Sequence, residues 1–303
     1  MDRRAFIKST SMIAALGPST AVSSISQVFG QTRVARVGGP KLKLSCNLYS
    51  FNGPLTSSAM TLELVMEFCA RLGFDAVDPT GYYFPGYPKV PPDDYLYRIK
   101  RKAFVLGLDI SGTGVRNDFT HPDPARRNAD VELVKSWIEC SARLGAPVLR
   151  VFAGNGIPAG RTEDEVNGWI VDGIRKCVEH ARKFGVLISV QNHNDFIRTS
   201  GQVLRILKMV DSEWFGLNLD IGSFRIGDPY DEIARVLPYA ITCQIKESVY
   251  FGEKEVKTDL NRLFKLFKDA GYRGYLPLET LGEGDPRLKV PVFLDEVRKA
   301  LAG

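Results

Sequence analysis

The feature that most constrains this chain is an alternation of short apolar runs with amphipathic stretches, sustained from Leu42 to the C-terminus. Eight apolar runs stand out: Leu42–Leu48, Phe74–Val77, Leu108–Ile110, Pro147–Phe152, Val186–Val190, Phe215–Leu219, Ile241–Ile245 and Tyr275–Leu278. Between them, Leu62, Val65, Met66 and Cys69 recur at the i, i+3, i+4, i+7 spacing that lines one face of a helix. Val203, Ile206, Leu207 and Val210 repeat it, as do Leu260, Leu263, Phe264 and Phe267. Ile170, Ile174, Cys177, Val178 and Ala181 mark a longer helix. Gly73, Gly185 and Gly271 each stand between a helical stripe and the next apolar run, where a glycine ends a helix at little steric cost. Near-continuous apolar strands belong to parallel sheets covered on both faces. Eight strand–helix units in some 270 residues predict an α/β fold, a (β/α)8 barrel in one domain spanning 34–303. A doubly wound sheet is the alternative, but no GxGxxG stands at a strand–helix turn.

Residues 1–33 read as an address outside that fold. Arg3-Arg4, Phe6 and Lys8 resemble the twin-arginine export motif, and no charged residue occurs from Ser9 to Thr32. A basic start, the apolar centre Met12–Leu16 and small residues afterwards describe a secretory signal. The segment is too rich in Ser, Gly and Pro to make a good membrane span. The expectation is therefore a periplasmic or otherwise exported protein with no stable membrane insertion. The whole chain carries +5, and the first thirty residues hold Arg3, Arg4 and Lys8 against Asp2, leaving about +3 for the rest. No stretch sets basic residues beside aromatics as a nucleic-acid groove would. The five cysteines (Cys46, Cys69, Cys140, Cys177, Cys243) are scattered without a CxxC pair and read as small buried apolar residues.

A (β/α)8 barrel builds its site where the strands end. Polar residues accumulate there: Asn47, Tyr49 and Asn52; Asp78, Tyr82 and Tyr83; Thr113, Arg116, Asn117 and Asp118; Asn155; the run Gln191-Asn192-His193-Asn194-Asp195; Asp220, Ser223 and Arg225; Gln244, Lys246 and Glu247; and Glu279. Arg150 lies inside an apolar strand and needs a partner, either a carboxylate such as Asp78 or substrate. The aromatic loop of Tyr82, Tyr83, Phe84 and Tyr87 suits either a sugar face or local packing. His121 and His180 look peripheral.

The frames Gln191-Asn192-His193, Leu219-Asp220-Ile221-Gly222, Gln244-Ile245-Lys246 and the terminal Glu279 resemble the xylose-isomerase-like TIM-barrel family of sugar isomerases and epimerases, which also includes endonuclease-IV-type enzymes. The resemblance spans nearly the whole mature chain and is sharpest from Val186 to Glu279. It implies metal ligands at Gln191, Asp220, Gln244 and Glu279, where the family places Glu, Asp, His and Glu. Two of the four therefore depart from the family pattern. Amide oxygens can still serve Mn²⁺, Mg²⁺ or a similar divalent ion, more weakly than carboxylate or imidazole.

The resemblance also implies a pair of acid/base groups at the ends of the fifth and eighth strands. Gln191 has no proton to exchange near neutral pH. That leaves Glu279 as candidate base, with Lys246, His193, Glu247 and Asp78 as candidates for the second role. Lys246 can also hold a developing enolate by charge. Asp78, Tyr82, Tyr83, Arg150 and Asn192 are candidate substrate contacts.

Three functions follow as expectations, all with a small carbohydrate as partner. The first is a sugar isomerase or epimerase that removes a proton beside a carbonyl. The second is a lyase that applies the same step to a 3-keto-glycoside and expels the glycosidic oxygen. The third is a non-catalytic sugar-binding barrel. An endonuclease is disfavoured, because its histidine-rich trinuclear site exceeds the three histidines of the whole chain.

Overall fold

The computed structural model describes residues 33–303, which form one compact unit. The twin-arginine stretch and its apolar centre lie outside the described residues.

The chain runs β1 (Lys41–Asn47), α1 (Asn52–Thr56), α2 (Leu62–Arg71), β2 (Ala76–Asp78), α3 (Asp93–Val105), β3 (Asp109–Ile110), β4 (Thr113–Gly114), α4 (Pro124–Leu144) and β5 (Val148–Phe152). It continues α5 (Glu163–Ala181), β6 (Leu187–Gln191), α6 (Ser200–Val210), β7 (Phe215–Asp220), α7 (Pro229–Val236) and β8 (Ala240–Lys246). It ends β9 (Ser248–Phe251), β10 (Lys254–Lys257), α8 (Leu260–Asp269), β11 (Arg273–Glu279) and α9 (Pro286–Ala302). The main sheet has the order β3-β2-β1-β11-β8-β7-β6-β5-β4, with every pairing parallel. Only Ser111 and Gly112 separate β3 from β4, so these two are halves of one barrel stave and the sheet closes on itself. The outcome is the expected (β/α)8 barrel.

All four apolar stripes are buried as their spacing predicts. Leu62, Val65, Met66 and Cys69 face inward from α2, and Leu260, Leu263, Phe264 and Phe267 from α8. Burying one such side chain is worth about 1.5–3 kcal/mol, so each stripe suffices to fix its helix against the sheet. Gly73 and Gly185 have φ of +72° and +67°, the left-handed backbone that turns a helix end into the next strand. Thr162 and Glu165 form a reciprocal capping box at the start of α5. All five cysteines are buried and free. Among the described residues, no helix is long and apolar enough to cross a membrane.

One element has no counterpart in the eight-unit reading. β9 and β10 form an antiparallel hairpin beyond the end of β8, closed by Gly252 and Glu253. Gly252 has φ +65°, as the first position of a two-residue hairpin turn requires. Ser248, Tyr250 and Glu255 of this hairpin line a cavity together with Lys246 and Glu279 from the ends of β8 and β11.

Candidate active site

Parallel registry brings the strand-end residues to one level. Asp220 is paired with Gln244, and Lys246 with Glu279, so their side chains share the barrel's inner face. Asp220 is fully buried and Glu279 is 4% exposed. The Lys246 ammonium sits between them, 2.9 Å from Asp220 Oδ2 and 3.0 Å from Glu279 Oε2. Gln191 Nε2 donates to Asp220 Oδ2 at 2.7 Å, and Gln244 Nε2 donates to Glu279 Oε2. The result is one cation held by two carboxylates, each also receiving an amide N–H.

Two backbone devices make this cluster possible. The Gly222 N–H donates to Asp220 Oδ1 at 2.9 Å. A Cβ on Gly222 would lie 2.8 Å from Lys246 Cδ, so the glycine of the Leu-Asp-x-Gly frame leaves room for the lysine stem. Asn192 locks the strand behind it: its Nδ2 donates to the Asp220 carbonyl at 2.9 Å, and its Oδ1 accepts from the Asp220 N–H at 2.7 Å. Asn192 is therefore a tie between β6 and β7, fully buried and lining neither of the cavities described below.

The charges support one another. Burial alone would lower the Lys246 pKa, but the Asp220 and Glu279 carboxylates outweigh it and hold the amine above the ordinary lysine range. Burial would likewise raise Asp220, and Lys246, His193 and the Gln191 amide hold it below the ordinary carboxylate range. Lys246 is thus a cation at neutral pH. It can donate a hydrogen bond or stabilise an anion, and it cannot serve as a base.

Two adjoining cavities open above this cluster, of about 220 Å³ and about 400 Å³. His193, Lys246, Glu279 and Leu281 line both. The inner cavity is walled by Tyr49, Tyr82, Phe152 and the guanidinium groups of Arg116 and Arg150. The outer one is lined by Ser248, Tyr250 and Glu255 of the hairpin together with Arg225. Glu279 Oε2 is taken by Lys246 and Gln244, whereas Oε1 has no hydrogen bond among the described residues. His193 packs its ring edge against Phe152, with centroids 5.3 Å apart. Its Nδ1 lies 2.9 Å from Asp195 Oδ2, close in distance but outside hydrogen-bond geometry.

The other expected site residues divide. Tyr82 lines the inner cavity and accepts from Arg150 Nη2 at 3.1 Å. Tyr83 turns its hydroxyl to Asn52 Oδ1 at 2.9 Å, and Phe84 and Tyr87 pack on Trp137, so most of the aromatic loop is local packing. Glu247 lines the outer cavity, its carboxylate 3.2 Å from the Leu281 N–H and 3.7 Å from Lys289 Nζ. Among the described residues, Arg150 makes no ion pair. It donates to the Val115 carbonyl at 2.7 Å, and its guanidinium lies 4.1 Å from the Phe152 ring centroid. A Cβ on Gly114 would come within 2.7 Å of that guanidinium, so a glycine on the adjoining stave gives Arg150 its space. His121 and His180 lie away from the cleft, bonded to Asp123 and Glu139.

Asp78 lines neither cavity. Burial raises its pKa to about 6, with Glu279 adding to the rise and Arg150 opposing it. A carboxylate whose folded pKa exceeds its unfolded value binds its proton more tightly in the native state. Its contribution to stability is present at low pH and is lost between about pH 4 and pH 6, by roughly 3 kcal/mol at most. Urea unfolding at pH 5 and pH 7.5 should therefore show a slope in wild type that Asp78→Asn flattens. An unchanged slope assigns it to another group.

The arrangement also tests the divalent ion implied by the resemblance. The four positions Gln191, Asp220, Gln244 and Glu279 do converge. The space between the carboxylates belongs to Lys246, and both amides present N–H rather than oxygen, the only face that an ionised carboxylate accepts. A divalent ion would need the ammonium expelled and both amides reversed. Among the described residues, no group of three or more His, Cys, Asp and Glu side chains is arranged to hold a metal ion. As arranged, the residues fit an ammonium and do not fit a divalent cation.

The model of the xylose-isomerase-like TIM barrel matches residues 66–296, and the chain belongs to that family. Three solved structures share its fold. The 3-keto-D-glucoside 4-epimerase of E. coli superposes with a TM-score of 0.69 at 16% identity, over 86% of this chain and 100% of its own. D-psicose 3-epimerase of Clostridium cellulolyticum, solved with D-tagatose, gives 0.69 at 16% identity over 86% and 99%. A xylose isomerase domain protein of Planctomyces limnophilus gives 0.66 at 14% identity over 88% and 96%. No protein of curated function matches the chain in sequence.

Proposed function

We propose that this protein is a sugar isomerase- or epimerase-like enzyme that removes a proton from the carbon beside a sugar carbonyl. The observation that carries the reading is the Lys246 ammonium seated between Asp220 and Glu279 on the floor of a cleft. Abstraction beside a carbonyl builds charge on the carbonyl oxygen, and a fixed buried cation stabilises that charge without reorganising. Glu279, with Oε1 unbonded toward both cavities, takes the proton. His193, on the same shared wall but from another stave, returns one. Tyr49, Tyr82 and Phe152 offer apolar faces to the ring, while Arg150 and Arg116 donate to its hydroxyls. Two proteins with the same fold, a 3-keto-D-glucoside 4-epimerase and a D-psicose 3-epimerase, accord with this chemistry.

A second reading is favoured by Gln191. With an amide where the family has its second carboxylate, a symmetric two-carboxylate exchange has lost one partner. A 3-keto-glycoside needs only one. Glu279 removes the proton at C2, the C1–O bond breaks as the C1–C2 double bond forms, and His193 protonates the departing oxygen. The products are an enone and an alcohol. Export through a twin-arginine-type route, inferred from Arg3-Arg4 and the uncharged stretch after Lys8, accords with an unphosphorylated substrate.

Incubation with keto- and aldo-sugars in D₂O tests the proposal. Deuterium entering intact sugar supports isomerase or epimerase, and an enone from a 3-keto-glycoside supports lyase. Binding of sugar with neither outcome leaves a non-catalytic barrel. Activity should persist after dialysis against a chelator, within a factor of two. Loss on chelation with recovery on adding Mn²⁺ or Mg²⁺ would restore the metal to the mechanism.

A further inference from the structure

Resting on this proton-abstraction reading, we infer that the substrate is a two-ring keto-glycoside, bound with its keto ring in the inner cavity and its second ring in the outer one. Size carries the first part of the argument. An apolar cavity of about 150 Å³ takes one benzene ring. The inner cavity, at about 220 Å³, therefore has room for one substituted six-membered ring. The outer cavity, at about 400 Å³, is larger than the inner one and stays empty if the substrate is a single sugar.

The position of the shared wall carries the second part. His193, Lys246 and Glu279 line both cavities, so the reacting groups stand at the junction rather than at the bottom of either lobe. A molecule spanning the two lobes puts its linkage, and the ring carbons next to it, beside those three side chains.

The lining of the outer lobe gives the chemistry of the second ring. Arg225 lies with its guanidinium 3.7 Å from the centroid of the Tyr250 ring, and its Nη1 is tied to the Gly222 and Phe224 carbonyls at 2.7 and 3.0 Å. These bonds and the stack hold Arg225 and Tyr250 as a fixed piece of the lobe's wall, and the guanidinium N–H groups other than those on Nη1 have no partner among the described residues, which suits them to a sugar's hydroxyls. Glu247 and Glu255 line the lobe together with the Arg225 and Lys246 cations, so the wall carries both signs and suits hydroxyls, which both donate and accept, better than a group of one charge. The second group is therefore a neutral polyhydroxylated ring.

Steady-state turnover of a keto-disaccharide and of the methyl keto-glycoside carrying the same keto ring tests this in the full-length protein. The disaccharide is expected to have at least tenfold higher kcat/KM. Tyr250→Ala should cut that ratio about tenfold, mainly through KM for the disaccharide, and Tyr250→Phe should preserve it by keeping the ring. Equal kcat/KM for the two substrates, or a ratio unmoved by Tyr250→Ala in a folded variant, would overturn the inference while leaving the proton-abstraction reading intact. A tenfold preference for a phosphorylated sugar would overturn it as well. Turnover of neither substrate, with no deuterium exchange, defeats the underlying reading instead.

Discussion

Replacing Glu279 by Gln should lower substrate deuterium exchange by on the order of 10³-fold while the barrel stays folded, since loss of a positioned general base costs about 10²–10⁴. The substitution is nearly isosteric in a side chain that is 4% exposed, so the packing around β11 is kept. What changes is chemical. The unbonded Oε1 loses its basicity, and the ammonium of Lys246 keeps only Asp220 as a full counter-charge. A purely electrostatic role and a proton-transfer role separate with Glu279→Asp. That variant keeps the charge and withdraws it by one methylene, so a base should fall less steeply than in Glu279→Gln while retaining the pH dependence of wild type. The readout is exchange rate against pH together with far-ultraviolet circular dichroism. Exchange within tenfold of wild type in a folded Glu279→Gln variant removes Glu279 from the role of base.

Much of this site could be read from the chain because a barrel converts strand ends into neighbours. Asp220, Gln244, Lys246 and Glu279 lie up to 59 positions apart in sequence, yet parallel registry sets them side by side. Strand ends nominate these residues among many others, and the family resemblance singles out Asp220, Gln244 and Glu279 from that list. It does not say how the side chains partner. Asn192 sits in the same polar run as His193, and only the pairing of β6 with β7 directs its amide to the Asp220 backbone. Arg150 calls for either a carboxylate or substrate, and the structure gives it a carbonyl, a tyrosine hydroxyl and the Phe152 face at the wall of the inner cavity.

The hairpin that carries Tyr250 was missed for a different reason. Ser248–Phe251 and Lys254–Lys257 interrupt the strand–helix rhythm, so a reading built on that rhythm passes over them. The Gly252-Glu253 pair between two short runs was the available signal. The closeness of Gly114 to Arg150, and of Gly222 to Lys246, has no sequence signal, because it depends on what the neighbouring stave places opposite each glycine.

Lys246 is the residue whose removal should have the largest effect on the fold as well as on the chemistry. In Lys246→Met, two buried carboxylates lose their shared cation, and breaking a buried ion pair from one side costs about 3–5 kcal/mol. The pH dependence should invert in a diagnostic way. In wild type, the folded pKa of Asp220 is depressed, so its contribution is present above the unfolded value near 4 and is lost only as pH falls through the folded one. The folded pKa of Lys246 is raised, so its contribution is complete below the unfolded value near 10.4 and is lost as pH rises through the folded one. The pair therefore gives a flat stability profile from about pH 4 to pH 10. In the variant, one of the two facing carboxylates must take up a proton to stay buried, which raises its folded pKa. Native protein then binds more protons than unfolded protein, and stability declines as pH rises from 5 to 8. Urea unfolding across that range measures the slope, and the difference from wild type, whose own decline from Asp78 is complete near pH 6, is the part due to the lost cation. A companion variant, Lys246→Ala, vacates the space between the carboxylates, and Mn²⁺ should then raise its melting temperature by several degrees while leaving wild type unmoved. An equal upward shift in wild type would mean that the ammonium yields its place to the metal, and that Lys246 is not the resident cation of the site.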